Sequence, residues 1–136
     1  MTITVTRDRT GKMRHVAQVR AHRISVEEPA PAGSEDSGPT PHDLYDAALA
    51  SCKALTVLWY AKRRGIPVED IAETVERDDA DERKGTYRLR TSLSLSGPLT
   101  PAQREELLAV VGKCPVHKLR AQATTEIVTE LSAAGG

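Results

Sequence analysis

Apolar and polar positions change rhythm along this chain, and each rhythm predicts an element. Thr2–Thr6 (TITVT) is rich in β-branched residues and predicts a strand. Arg7–Lys12 (RDRTGK) predicts a turn with Gly11 at its tip. His15–Val26 alternates through Val16, Val19, Ala21, Ile24 and Val26, which predicts a second strand and hence a hairpin. Glu27–Thr40 (EEPAPAGSEDSGPT) is broken by prolines and glycines and predicts a surface loop.

The rhythm then becomes helical. Pro39–Lys62 predicts one long, mostly apolar helix around which the rest is organised. Thr40 can cap it, and Pro41 suits the first helical position, where a missing N–H costs nothing. Asp43 adds negative charge in the first turn, which the helix dipole favours. Tyr45, Ala48, Leu49, Cys52, Leu55, Thr56 and Trp59 follow helical spacing and form one stripe. A basic turn, Lys62-Arg63-Arg64, meets a stop at Gly65 and Pro67.

Beyond it, Val68–Asp79 predicts a strand, Asp78–Gly85 a charged turn, and Thr86–Ser96 a cleanly alternating strand. Thr100-Pro101 opens a second helix, Pro101–Gly112. Lys113–Lys118 predicts a break with a short helical turn, and Ala123–Leu131 (ATTEIVTEL) a last strand. The order is ββ-α-ββ-α-β. Helices that do not alternate one for one with strands predict an α+β fold with a mostly antiparallel sheet. The chain is expected to form one domain, residues 1–131, followed by a disordered tail, residues 132–136.

Composition narrows the function. Nineteen Lys and Arg balance 19 Asp and Glu, so no charge excess argues for nucleic acid or an anionic membrane as partner. With no Phe, one Trp and three Tyr, base-stacking platforms are not expected and the core must be aliphatic. Such a core in a short chain is one that a partner chain can help to cover. The start is polar, without the apolar run of a signal peptide. Ala47–Ala61 is interrupted by Ser51, Lys53 and Thr56, so it is not a membrane span. Cytoplasm is the expected compartment, where two cysteines act as thiols, metal ligands or a redox pair.

Cys52, in the middle of the long helix, is either a small buried hydrophobe or a working thiol. A mid-helix position gains nothing from the helix dipole, and Lys53 points about 100° away, so activation must come from another element. Cys114, at a helix break before Pro115 with Lys113 beside it, is locally the better thiolate. Cys114 and His117 make a Cys-x-x-His, which is half of a zinc site or a nucleophile with its base. His42 lies ten residues before Cys52 and Asp43 nine, ~15 Å for the former along a straight helix, so neither reaches it without a bent helix or a partner chain. Arg7, Arg9, Arg14, Arg20 and Arg23 are the cations of the first hairpin, one of which could fold over a thiol.

At these residues the sequence resembles the OsmC/Ohr family. Gly38-Pro39-Thr40-Pro41-His42-Asp43-Leu44 followed by Ala47-Ala48-Leu49-Ala50-Ser51-Cys52 is similar to its first-cysteine signature, and Lys113-Cys114-Pro115-Val116-His117-Lys118 to its second-cysteine motif. The resemblance implies an intertwined homodimer with the sheet wrapped on a long central helix. It implies a thiol peroxidase that reduces organic hydroperoxides, with Cys52 as the attacking thiol, Cys114 as the resolving thiol and a dithiol reductant as partner. An arginine of the first hairpin, Arg7 or Arg9, would lie against the thiolate. The family glutamate that orients that arginine falls at His42, with Asp43 the nearest carboxylate. Tyr45, Leu49, Leu55 and Trp59 would line an apolar substrate site, and neither metal nor organic cofactor is implied. The alternative is a redox-sensing or apolar-ligand-binding protein of the same fold, without catalysis.

Overall fold

The computed structural model describes residues 1–132; most of the tail predicted after Leu131 lies outside them. The fold is α+β with antiparallel sheets, as the rhythm predicts. The chain divides into two compact units, Met1–Ala50 with Val75–Thr91 and Ser51–Thr74 with the residues from Ser92 onward.

In the first unit, β1 (Ile3–Arg7), β2 (His15–Val19) and β3 (His22–Val26) form an antiparallel sheet in that order. Val5 pairs with Ala17, and Ala17 with Ile24. The single strand expected over residues 15–26 is therefore two, folded back at Arg20-Ala21. Arg20 takes a left-handed backbone, φ 52°, in a turn that usually announces itself with glycine or asparagine. The apolar positions do change parity across it, from Val19 and Ala21 to Ile24 and Val26, but a shift of one residue is easily read as loose alternation within one strand. Period-2 geometry puts Ile3, Val5, Arg7, Ala17 and Ile24 on one face of the sheet, and Ile3 and Val5 remain more than half exposed there.

The loop after β3 is built around a buried carboxylate. Glu27 accepts hydrogen bonds from the Ser34 and Ser37 hydroxyls and from the backbone N–H of Glu35 (3.2 Å) and Ser37 (2.8 Å). The Ser34 hydroxyl does most to hold this carboxyl below its ordinary range. The Glu27 N–H donates to the Pro39 carbonyl (3.1 Å), and Gly38 passes so close to β3 that a Cβ there would lie 2.5 Å from the Ser25 carbonyl oxygen.

The long helix α1 runs Pro41–Arg64. Its start is capped reciprocally, Asp43 N–H to Thr40 Oγ1 (3.1 Å) and Thr40 N–H to Asp43 Oδ2 (3.0 Å). Gly65, at φ 67°, ends it, and the Ile66 N–H returns to the Ala61 carbonyl (2.9 Å). The buried face is Asp46, Leu49, Lys53, Val57 and Ala61. This differs from the predicted stripe, of which Tyr45, Leu55 and Trp59 are exposed and Leu49 alone is fully inside. Two charged residues thus face inward.

Asp46 is satisfied in the first unit. Its carboxylate takes Arg77 Nε (2.6 Å) and the Tyr87 hydroxyl (2.7 Å), while the same guanidinium reaches Asp43 (2.8 Å). Burial, and then the bond to Asp46, push the Tyr87 phenol up to about 12.

Strands β4 (Asp70–Asp78) and β5 (Arg88–Ser96) pair with each other. The core of the second unit gathers Val57, Ala61, Ile66, Leu107, Val110 and Val111, with Leu93 and Leu95 of β5 packed against it. Helix α2 (Pro101–Val111) carries a full capping box, Thr100 with Gln103, and the short helix α3 (Pro115–Ala121) follows the predicted break. The last strand, expected over Ala123–Leu131, is absent: that segment has no regular structure, and Ile127 and Val128 stand exposed. Strand-forming residues need a ladder partner, and β-propensity cannot supply one. Among the described residues, no helix is long and apolar enough to cross a membrane.

Two stability measurements check this core. Leu107, fully buried, should cost about 2–5 kcal/mol as Leu107→Ala in urea unfolding. Asp46→Ala leaves the Tyr87 hydroxyl and Arg77 Nε without their acceptor and should cost about 1–3 kcal/mol in the same experiment; parent-like unfolding of either variant would contradict the packing described.

Candidate functional site

The two cysteines meet in the second unit. Cys52 is half-buried on α1; Cys114 is fully buried at the N-cap of α3, with Pro115 as the first helical residue. Both are free thiols, and the hydrogen bond between them lowers Cys52 and raises Cys114. The Thr56 hydroxyl, one turn along α1, lies 4.0 Å from Cys52 Sγ.

That bond divides the pair by role. Burial raises the Cys52 thiol, but hydrogen bonds from Cys114, from the Val116 N–H and from Thr56, together with the Lys53 charge, outweigh it, so Cys52 lies below its ordinary value. Burial raises Cys114, and its bond to Cys52 raises it further; the His117 and Val116 N–H groups pull the other way without reversing the shift. The local argument that favoured Cys114 as the thiolate is thereby corrected. A helix start does supply N–H groups, but the Val116 N–H also serves Cys52, and complete burial penalises an anion on Cys114.

Lys53 is the residue that sequence reasoning missed. Its Nζ is buried, 3.0 Å from His117 Nδ1 and 3.3 Å from the Val111 carbonyl oxygen. An ammonium has only donors, so the ring nitrogen that faces it is the acceptor in this contact. A signal was present: Leu49, Val57 and Ala61 stand four, four and eight residues from Lys53, which places the lysine on an apolar face. Cys114 and His117 thus both meet α1. Among the described residues, no group of three or more His, Cys, Asp or Glu side chains is arranged to hold a metal ion.

The remaining predicted residues are spread out. Leu55 and Trp59 line a cavity of about 590 Å³ with Thr56, Tyr60, Val110, Lys113 and Pro115, all in the second unit. Tyr45 and His42 line a hollow of about 330 Å³ in the first unit with Pro41, Glu82 and Tyr87. Leu49 is buried on the inner face of α1. His42 pairs with Glu82 (3.0 Å), and Asp43 with Arg77. Arg7, at the end of β1, reaches the Lys12 carbonyl across its own turn (3.5 Å), and Arg9 lies in that turn.

Residues 33–130 match the family model described as OsmC-like protein. The chain belongs to the OsmC-like family. Comparison with curated proteins gives no match. Among solved structures, the OsmC-like protein of Mycoplasma pneumoniae superposes with a TM-score of 0.70 at 20% identity, covering 90% of this chain and 88% of that one. An organic hydroperoxide resistance protein OsmC of Legionella pneumophila gives 0.63 at 18% identity, covering 90% and 91%. The organic hydroperoxide resistance protein OhrB of Bacillus subtilis gives 0.58 at 22% identity, covering 90% and 93%. At these identities the superpositions establish the OsmC/Ohr fold.

The thiol asymmetry of this OsmC-like protein has a direct readout. Thiolate is the form that alkylates, so a depressed Cys52 should react with iodoacetamide at lower pH than a free thiol. Cys114 should need higher pH than Cys52, read site by site through peptide mass spectrometry. Equal pH profiles at the two cysteines would contradict the assignment.

Proposed function

We propose that this OsmC-like protein reduces organic hydroperoxides through Cys52 and Cys114, in defence against oxidative stress. The observation that carries the reading is the pairing of the two thiols, in which contact with Cys114 lowers Cys52 and contact with Cys52 raises Cys114. The printed names of two solved relatives, both organic hydroperoxide resistance proteins, supply the substrate class.

The Cys52 thiolate attacks the terminal oxygen of R–O–O–H. The S–O bond forms, the O–O bond breaks, and RO⁻ takes a proton and leaves as the alcohol; Cys52 becomes the sulfenic acid. Cys114 sulfur, already beside it, then displaces the sulfenic hydroxyl. A disulfide forms, and the thiol proton leaves with the hydroxyl as water. A dithiol reductant returns both thiols by exchange and is itself oxidised to a disulfide. The cavity lined by Leu55, Thr56 and Trp59 would take the alkyl group, because Thr56 also touches Cys52.

The reading includes a cytoplasmic homodimer. Its support is the exposed apolar side of α1, with Tyr45, Leu55 and Trp59 outward. The arginine that would lie against the thiolate is Arg7 or Arg9; Arg7 closes β1 on the sheet face that also carries Val5, Ala17 and Ile24. His42 and Asp43 would act, if at all, on the thiol of the second copy.

The test is consumption of cumene hydroperoxide with dithiothreitol as reductant. Cys52→Ser should fall to the background rate. With dithiothreitol left out, Cys114→Ser should complete one turnover and leave a sulfenic acid that dimedone traps. A Cys52→Ser protein as active as the parent would overturn the reading and favour apolar-ligand binding on the same fold.

A further inference from the structure

A threonine inside a helix has a ready use for its hydroxyl, a hydrogen bond back to the carbonyl four residues earlier. For Thr56 the residue four back is Cys52, and its hydroxyl meets the side chain there: Oγ1 lies 4.0 Å from Sγ. The spacing of four puts both side chains on one face of α1. While Cys52 is a thiol, either atom can donate. A thiolate has no proton to give, so toward it the hydroxyl is the donor. Charge-assisted bonds are also shorter than neutral ones, so ionisation of Cys52 should draw the hydroxyl in.

The same side chain stands in the wall of the cavity of about 590 Å³, between Leu55 and Trp59 of its own helix and Val110 and Pro115 opposite. That wall holds two hydroxyls. The Tyr60 hydroxyl is spent on Glu106 (2.5 Å), and the Thr56 hydroxyl is the one that meets sulfur. Burial works against a Cys52 thiolate, while contacts with Cys114, with the Val116 N–H and with Thr56 work for it. Of these three, Thr56 is the one that the cavity wall holds. A backbone N–H is fixed in direction, and the Cys114 sulfur is the later partner of Cys52. A side-chain hydroxyl rotates to suit its acceptor. Thr56 therefore borders both the attacking atom and the space in which a substrate would sit.

We propose that Thr56 is a catalytic residue: its hydroxyl donates to the Cys52 thiolate before attack and follows the negative charge to the departing alkoxide oxygen as the peroxide bond breaks. This deepens the peroxidase reading and rests on it. In the attack the sulfur electron pair forms the S–O bond, the O–O bond breaks, and its pair leaves on RO⁻. The charge thus passes from sulfur to oxygen, and a donor free to turn can serve both ends of that transfer. Thr56 keeps its own proton throughout. The proton that Cys52 gave to water on ionising returns to RO⁻, so thiol and hydroperoxide become sulfenic acid and alcohol.

The test compares the parent with Thr56→Val, which keeps the branched shape and loses the hydroxyl, and Thr56→Ser, which keeps the hydroxyl; circular dichroism confirms folding. The pH midpoint of Cys52 alkylation by iodoacetamide is read first, and Thr56→Val should raise it. Rates with cumene hydroperoxide and with iodoacetamide are then read above the midpoint of every protein, where each holds its full thiolate. Both reagents need the thiolate, but iodoacetamide expels iodide, which needs no donor. Thr56→Val should lose about tenfold in kcat/KM for the hydroperoxide and alkylate at the parent rate. Thr56→Ser should stay near the parent with both reagents. A Thr56→Val protein with the parent kcat/KM overturns the proposal. So does a Thr56→Ser protein as slow as Thr56→Val, or an equal loss with both reagents, which would mean a damaged nucleophile rather than a missing donor. A parent that consumes no hydroperoxide removes the peroxidase reading instead; the midpoint then decides the thiolate contact by itself, and an unshifted Thr56→Val midpoint overturns that as well.

Discussion

A long helix that turns two charges inward must find each of them a partner. In α1 those charges are Asp46 and Lys53, seven residues and two turns apart on the buried face. Asp46 collects Arg77 and Tyr87 in the first unit, and Lys53 collects the Val111 carbonyl and His117 in the second. Each partner lies on an element distant in sequence, so each charge also specifies which element comes to the helix. Apolar packing around Val57 and Leu107 supplies the larger area, but it is tolerant of small slips. A buried ion with one set of matching acceptors is not, because a slip leaves it unpaired.

The thiol pair follows from the same arrangement. Once His117 is brought to Lys53, the start of α3 is brought to Cys52, and two sulfurs meet in unequal environments. Cys52 has a neighbouring cation and is partly open; Cys114 is sealed. The more acidic thiol is the partly open one, where a reactant can meet it, and the sealed thiol is the less acidic. Chemistry that needs one nucleophile and one later partner is served by this inequality more than by either environment alone.

Much of the architecture was legible because its signals are local. Thr40, Asp43 and Gly65 delimit α1, and Thr100 with Gln103 opens α2, all within a few residues of sequence. What was not legible depended on distant partners or on a weak local cue. The turn at Arg20-Ala21 lacks the glycine that usually marks it. The segment Ala123–Leu131 reads as a strand from its own composition, but a ladder is a property of two segments. The buried face of α1 was misplaced because charged residues were assigned to solvent by default. That default also hid Lys53, whose environment is set by residues 58 and 64 positions away. Both cysteines were identified from sequence, while their order of acidity required knowing which one was sealed.

Gly38 sets a tolerance for the start of the helix. The chain there lies on the Ser25 carbonyl with no room for a methyl group, and the next residue gives its carbonyl to Glu27. Thr40 and Asp43 follow at once with the cap of α1. The missing side chain therefore works as a shim. Its thickness gauges the spacing between the end of β3 and the first turn of the helix, and any other amino acid would make that gauge too thick. Position 38 is for this reason fixed by backbone clearance rather than by any side-chain chemistry.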